Sequence, residues 1–388
     1  MSPLYLDNAA STRVSEPVLA VMTEVMRTAW GNPSSQHPQG AAARAHLETA
    51  RQRLLAAFGD TAGAGRLGDI VWTSGCSEAD ALAVLGAART RPGSIVVSSI
   101  EHAAVAGLAA RLGEGRPAVR VEPGRDGVID PEAVARAAHD AAVVAIVLVQ
   151  NEIGVIQPVA AIAQAVRRVN PRCHIHIDAA QALGKVAVDV REIGADSIAI
   201  AGHKLHGPKG IGALWLRTGA VLEPLWVGGG QQGGLRGGTQ DAPSAAGLGL
   251  AAERAVTALP EARMRWQGFA AQVIEQLTAR GVGFSQLVAD PLRSPHILAL
   301  GIAGVPATAL RTVLASRGVY ISTGSACAER DGQGKPSPVL LAIGLAPETG
   351  MCRLSFGLDT TAEGIAQAAT TLADVALELS ASRSRSSS

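Results

Sequence analysis

Through roughly the first two-thirds of the chain, short apolar runs rich in β-branched residues alternate with helical stretches, and this alternation restricts the fold more than any other feature. Ile70–Thr73, Ile95–Ser98, Val143–Val149, Ile175–Asp178 and Ser197–Ala201 read as strands. Ala79–Arg89, Ala103–Leu112, Pro131–His139 and Val159–Val169 read as the helices between them. The strand runs are continuously apolar, as strands buried on both faces must be. They predict an α/β fold with a mostly parallel sheet between helical layers. A glycine-rich stretch from Gly228 to Gly238 interrupts the pattern. A long helix over about Ala242–Arg280 follows, then a shorter strand-and-helix region to about Leu379. The expected division is a large domain over 15–257 and a smaller α+β domain formed by 1–14 with 258–379. The tail 380–388, almost all serine and arginine, is expected to be disordered.

Hydrophobic residues make up 47% of the 388 and charged residues 17%, enough for two cores. A net charge of +1 supplies no field to hold nucleic acid or an anionic membrane, so neither is an expected partner. The longest apolar run, 141–149, is of strand length and ends at Gln150, far from the ~18 residues that a membrane helix needs. The opening Met1-Ser2-Pro3-Leu4-Tyr5-Leu6-Asp7 does not read as a secretory signal. Cys76, Cys173, Cys327 and Cys352 are widely spaced, with no CxxC and no zinc-type cluster. No metal site is expected, and a reduced, cytoplasmic protein is.

Open α/β sheets bind ligands at the carboxyl ends of their strands, and the polar residues here gather at those ends. Thr73-Ser74-Gly75-Cys76-Ser77-Glu78 follows one strand and opens a helix. Small residues and free N–H groups there suit a phosphate, although a plain helix cap has the same appearance. Asp178 ends another buried strand, within Asp178-Ala179-Ala180-Gln181. Two of the four lysines, Lys204 and Lys209, share the loop Gly202-His203-Lys204-Leu205-His206-Gly207-Pro208-Lys209-Gly210. An enzyme using pyridoxal 5'-phosphate (PLP) needs a lysine for the Schiff base and a carboxylate to keep the pyridine nitrogen protonated. Asp178 and Lys204, on successive strand ends, suit those tasks. They equally suit a helix cap and a solvated loop lysine, and the spacing alone does not choose.

The motifs taken together do choose. Tyr5-Leu6-Asp7-Asn8-Ala9-Ala10, Gly31-Asn32-Pro33-Ser34-Ser35 with His37, Glu101-His102 and Asn151-Glu152-Ile153-Gly154 come first. Asp178-Ala179-Ala180-Gln181, Gly202-His203-Lys204, Leu235-Arg236-Gly237-Gly238-Thr239, Gly324-Ser325-Ala326-Cys327 and Arg353-Leu354-Ser355-Phe356-Gly357 follow in order. From Tyr5 to about Leu379 the chain resembles the cysteine desulfurases of the NifS/IscS family, group I, within the fold-type-I PLP-dependent transferases. That resemblance implies a seven-stranded, mostly parallel sheet in the large domain and PLP as cofactor.

It also implies the roles. Lys204 would carry the cofactor, Asp178 would pair with its ring nitrogen, His102 would stack on the ring, and Gln181 would reach its phenolic oxygen. Ser77, His203 and, across a homodimer interface, Thr239 would hold the phosphate. Arg353 with Asn151 would bind the substrate carboxylate, the fork of an arginine fixing position as well as charge. L-cysteine would become L-alanine while its sulfur passes to Cys327 as a persulfide and then to an acceptor protein, with His102 as acid–base helper. Cys327 opens a polar, glycine-containing loop that suits an accessible thiol. Cys76, Cys173 and Cys352 are expected to be structural, with Cys76 in the phosphate turn and so beside the cofactor.

Three positions depart from the family pattern. Ala201 replaces a phosphate-binding serine, a difference of about 1 kcal/mol unless water takes its place. The thiol loop runs longer before Pro336-Ser337, and Leu358-Asp359 stands where a second basic residue is usual. Selenocysteine lyase and a PLP-dependent cysteine β-lyase are the enzymatic alternatives, the latter having no need of Cys327; a sulfur-relay scaffold is the non-enzymatic one. Iron–sulfur cluster assembly, tRNA thiolation and DNA phosphorothioation all draw on such enzymes. The chain bears a resemblance to the phosphorothioation branch that rests on no single residue.

Overall fold

The structure, a computed structural model, describes residues 3–61, 65–112, 115–324, 337–346 and 349–386. A short strand, β1 (Leu4–Tyr5), precedes helices α1 (Glu16–Thr28) and α2 (Pro38–Ala57). Strands β2 (Gly68–Thr73), β3 (Ser94–Ser98), β4 (Ala118–Val121), β5 (Ala141–Val147), β6 (His174–Asp178), β7 (Ser197–Ala201) and β8 (Gly212–Arg217) follow. Helices α3 (Cys76–Thr90), α4 (Ala103–Leu112), α5 (Pro131–Ala137), α6 (Val159–Val169) and α7 (Val190–Ile193) lie between them. The 38-residue helix α8 (Ala242–Ala279) leads to β9 (Phe284–Gln286) and β10 (Ile297–Ile302). Then come α9 (Ala307–Ser316), β11 (Val319–Tyr320), α10 (Pro338–Ala342), β12 (Gly350–Ser355) and α11 (Ala362–Ser386).

The seven strands β2 to β8 form one sheet in the order β2-β8-β7-β6-β5-β3-β4. Only β8 runs against its neighbours; the pairs β7-β6, β6-β5, β5-β3 and β3-β4 are parallel. Both faces of the sheet are covered. Val143 and Ala145 of β5 pack on one face with α3, while Val144 and Ile146 pack on the other with α2 and α8, the two faces making up the first core. Each such fully buried Val or Ile contributes about 1.5–3 kcal/mol, which explains the unbroken apolar runs. All five expected strands are present, but β5 stops at Val147 rather than Val149. There the Gln150 side chain accepts from the backbone N–H of Glu152 (2.6 Å) and Ile153 (2.9 Å), closing a turn. The sequence reading passed over β4, a half-exposed edge strand, and β8.

A second core surrounds a three-stranded antiparallel sheet, β12-β10-β9, and gathers Trp266, Phe269, Leu300, Leu354, Phe356 and Ile365. The N-terminus belongs to it, because β1 pairs with β11 in parallel and Leu6 is buried there. Helix α8 serves both cores: Ala242 to Ala255 pack in the first, Ala262 to Leu277 in the second. Pro260, which cannot donate a helical hydrogen bond, sits at the changeover. Helix α11 continues to Ser386, correcting the expectation of disorder from Ser380. Serine hydroxyls turned back onto the helix, Ser380 Oγ to the Ala376 carbonyl (2.8 Å) and Ser382 Oγ to that of Leu379 (2.8 Å), accompany the extension. Among the described residues no helix is long and apolar enough to cross a membrane.

Buried Asp60 fastens the edge of the large sheet. It accepts from the backbone N–H of Leu67 (2.7 Å) and Gly68 (2.9 Å) and from Trp215 Nε1 (3.0 Å). Asp60→Ala would leave these donors without their acceptor, and urea unfolding should show a loss of about 3 kcal/mol. A loss below about 1 kcal/mol would mean that water replaces the carboxylate.

Candidate active site

A cavity of about 640 Å³ opens at the carboxyl ends of β5, β6 and β7, beside the first turn of α3. Lys204, His102, Asp178, Gln181, Cys76, Ser77, His203, Asn151 and Arg353 all lie on its wall. Thr239 does not; it is exposed on the glycine-rich loop. Cys327 lies outside the described residues.

Lys204 ends a tight turn, Gly202–Lys204, immediately after β7. Its Nζ donates to the carbonyls of Ala9 (2.6 Å) and Ala10 (2.8 Å). Burial, and then the charge of Arg353, bring its pKa down to about 8, so a useful share of the amine is neutral and nucleophilic near that pH. A second buried lysine, Lys185, donates to the Lys204 carbonyl at 2.8 Å and holds the turn from behind.

Asp178 ends β6, and its Oδ1 accepts from the Ala180 N–H (2.9 Å) and the Cys76 thiol (3.4 Å). Behind it lies Asp80, whose Oδ1 is 3.0 Å from His176 Nε2; Ser197 Oγ in turn contacts His176 Nδ1 (2.9 Å) and His174 Nε2 (2.8 Å). Burial and then the Asp178 charge raise the pKa of Asp80, while burial lowers His176 to about 4. Burial thus disfavours the charged form of both members of this hydrogen-bonded pair. Cys76, Asp80 and Asp178 come within 4.8 Å of one another, a grouping that sequence spacing does not reveal. The thiol and Asp80 both hold their protons tightly, which makes the set a poor cation site.

His102 follows buried Glu101, whose Oε1 accepts from the Val147 N–H (3.0 Å) and from Ser98 Oγ, tying together the ends of β3 and β5. The His102 Nδ1 accepts from the Ala104 N–H (3.2 Å), so in the neutral ring the proton sits on Nε2. Arg353, from β12, is 3% exposed. It donates to Asp7 Oδ1 (2.5 Å) and the Asn151 carbonyl (2.7 Å), and its Nε finds no partner among the described residues. Its backbone also pairs with Ser322, N–H to carbonyl, at 2.8 and 3.2 Å.

Helix α3 starts at Cys76 with no side-chain cap, leaving first-turn N–H groups for an anion. Gly212 lets β8 approach this turn, since a Cβ there would lie 2.6 Å from the Gly75 carbonyl carbon. An amine, a buried carboxylate, an imidazole, an amide and an anion cradle in one cavity suit a phosphorylated aromatic carbonyl compound with a basic ring nitrogen. Lys209, which the resemblance leaves as a structural residue of the lysine loop, reaches the rim; sequence reasoning missed Ser11, which contacts His203 Nδ1 at 3.3 Å. It missed Asp80 as well, although i,i+4 spacing from Cys76 on one helix was the available signal.

A family model described as aminotransferase class-V matches residues 4–367. The putative cysteine desulfurase IscS 1 of Bacillus subtilis (strain 168) is 34% identical over 388 residues, covering 98% of this chain and 100% of its own. A solved NifS-like protein covers 97% of this chain and 100% of its own, with TM-score 0.89 and 29% identity. The structure of SspA in complex with cysteine covers 91% and 98%, with TM-score 0.78 and 31% identity. Fold and site thus meet in a shared family, the class-V aminotransferases. The chain belongs to it, in the cysteine desulfurase branch.

Burial raises Glu101 to about 8 from an ordinary 4.5. Between those values the folded protein holds a proton that the unfolded chain has lost, so this group's contribution to stability falls as pH rises through the window. Glu101→Gln removes the titration. Its unfolding free energy relative to wild type should therefore increase between pH 5 and pH 8 in urea titrations; a constant difference would mean that Glu101 ionises normally.

Proposed function

We propose that the chain is a PLP-dependent cysteine desulfurase that moves sulfur from L-cysteine to Cys327. The observation that carries this reading is the convergence of Lys204, Asp178 and Arg353 on one cavity, with the segment leading to Cys327 paired to Arg353 at Ser322. Cys327 lies three positions after Gly324, and three residue steps span at most about 11 Å.

When bound, PLP supplies an electron sink for the charge left on the substrate α-carbon. Lys204 would hold the cofactor covalently and, once released, move the α-proton on its Nζ. Asp178 would keep a proton on the ring nitrogen, and His102 would face the ring and manage the proton of the substrate thiol. Ser77, His203 and the α3 N-terminus would take the phosphate. Arg353 would orient the substrate carboxylate beside Asn151, both lying on the cavity wall. The Cys327 thiolate then attacks the substrate sulfur. An S–S bond forms, the C–S bond breaks with its electron pair going to carbon, and protonation leaves L-alanine.

The persulfide would pass to an acceptor protein in the cytoplasm. A homodimer is supported by exposed Val227 (92%) and Trp226 (47%), which precede the loop carrying Thr239; an interface would cover them and bring Thr239 to the other subunit's phosphate site. The two apolar cores support a division into 15–257 and 1–14 with 258–379.

The test is alanine and sulfide formed from L-cysteine with added reductant. Wild type should yield equal amounts of both. Cys327→Ala should lose both while keeping the yellow colour of bound PLP, and Lys204→Ala should lose the activity together with the covalent cofactor. Undiminished turnover by Cys327→Ala would favour a β-lyase.

A further inference from the structure

Gln181 lies on the cavity wall, and its Nε2 donates to the Ala9 carbonyl at 2.7 Å. A carbonyl oxygen can only accept, so this contact identifies which end of the amide is nitrogen. Oε1 therefore faces His296, whose Nε2 is 3.3 Å away. An amide oxygen also only accepts, so His296 Nε2 must carry the ring proton. The other ring nitrogen, Nδ1, is then an acceptor, and Ser294 Oγ lies 2.8 Å from it as donor. One backbone carbonyl thus sets, in series, the orientation of an amide, the tautomer of an imidazole and the direction of a hydroxyl.

His296 is completely buried at the foot of β10, with the Trp266 ring tilted 6.0 Å from its own. Burial, reinforced by the cations Lys185, Arg353, Arg293 and Lys204, keeps the imidazole neutral. A single hydrogen bond to Ala9 would let the Gln181 amide turn about it. A second contact at the opposite end of the amide stops that rotation. The remaining Gln181 N–H, for which no acceptor is found among the described residues, is then held toward the cavity.

We propose that His296, with Ser294 behind it, is a positioning residue that locks the Gln181 amide so that its second N–H addresses the phenolic oxygen of the cofactor. The inference rests on the PLP reading above. A donor to that oxygen stabilises its anionic form, so loosening the donor weakens cofactor binding and raises the pH at which the oxygen takes up a proton.

The experiment measures two quantities for the full-length protein: the dissociation constant for PLP and the pH midpoint of the visible absorption band of bound PLP. His296→Phe keeps a ring against Trp266 but has no N–H. It should bind PLP about fivefold more weakly, with a midpoint raised by roughly half a unit. His296→Gln, whose amide nitrogen can donate in place of Nε2, should return both values toward wild type. Ser294→Ala should move the midpoint in the same direction by less, and it decides the matter if the phenylalanine variant does not fold. A folded His296→Phe with wild-type values, equal changes in the phenylalanine and glutamine variants, or an unmoved Ser294→Ala would overturn the assignment. A wild type that takes up no PLP would overturn the cofactor reading and this inference with it, whereas a yellow wild type beside unchanged variants overturns this inference alone.

Discussion

Strands buried on both faces have little room for polar side chains along their length, so polarity collects where they end. In β5, β6 and β7 that constraint drives Asn151, Asp178 and Lys204 to one edge of the sheet. Parallel pairing then puts the edge to use, because β6 and β7 run the same way, Asp178 pairing with Ala199, and so both end on the same side of the sheet. The exceptions obey the same rule. His174 and His176 lie inside β6, and the hydroxyl of Ser197 on the neighbouring strand meets both. Burying imidazoles without such a partner would cost several kcal/mol.

The sheet edge is only half of the cavity. The N-terminal segment supplies the Ala9 and Ala10 carbonyls, and β12 supplies Arg353. These two pieces are themselves fastened together: Asn8 Nδ2 donates to the Ser355 carbonyl at 2.9 Å, and Ser355 Oγ accepts from the Ala9 N–H at 2.9 Å. Thr12 Oγ1 continues the seam to the His203 carbonyl at 2.9 Å, next to Lys204. Lys204, Arg353 and the start of the chain are therefore held by one network of hydrogen bonds crossing both cores.

Much of this was legible in the sequence. Continuous apolar runs located the central strands, and the residues at their ends named Asp178 and Lys204. Strand β8 escaped notice because it directly follows the lysine loop and runs against its neighbours, so no helix announces it. Edge strand β4 carries only half a hydrophobic face. The contributions of Asp7 and His296 were illegible for a different reason: each acts through a partner far away in the chain, and local spacing carries no record of such pairs. The length of α11 failed on composition, since serine and arginine suggest disorder but also sustain a helix already begun by a buried stripe.

The pairing of Ser322 with Arg353 has a further consequence. On the far side of the thiol segment, Ser337 caps α10 through a hydrogen bond from the Val339 N–H (3.2 Å) and also bonds to Glu152, the neighbour of Asn151. One mooring thus sits against Arg353 and the other against the neighbour of Asn151. The two ends between which residues 325–336 run are therefore set by β12 on one side and by a capped helix tied to the turn after β5 on the other, so a substitution between them leaves both anchors in place.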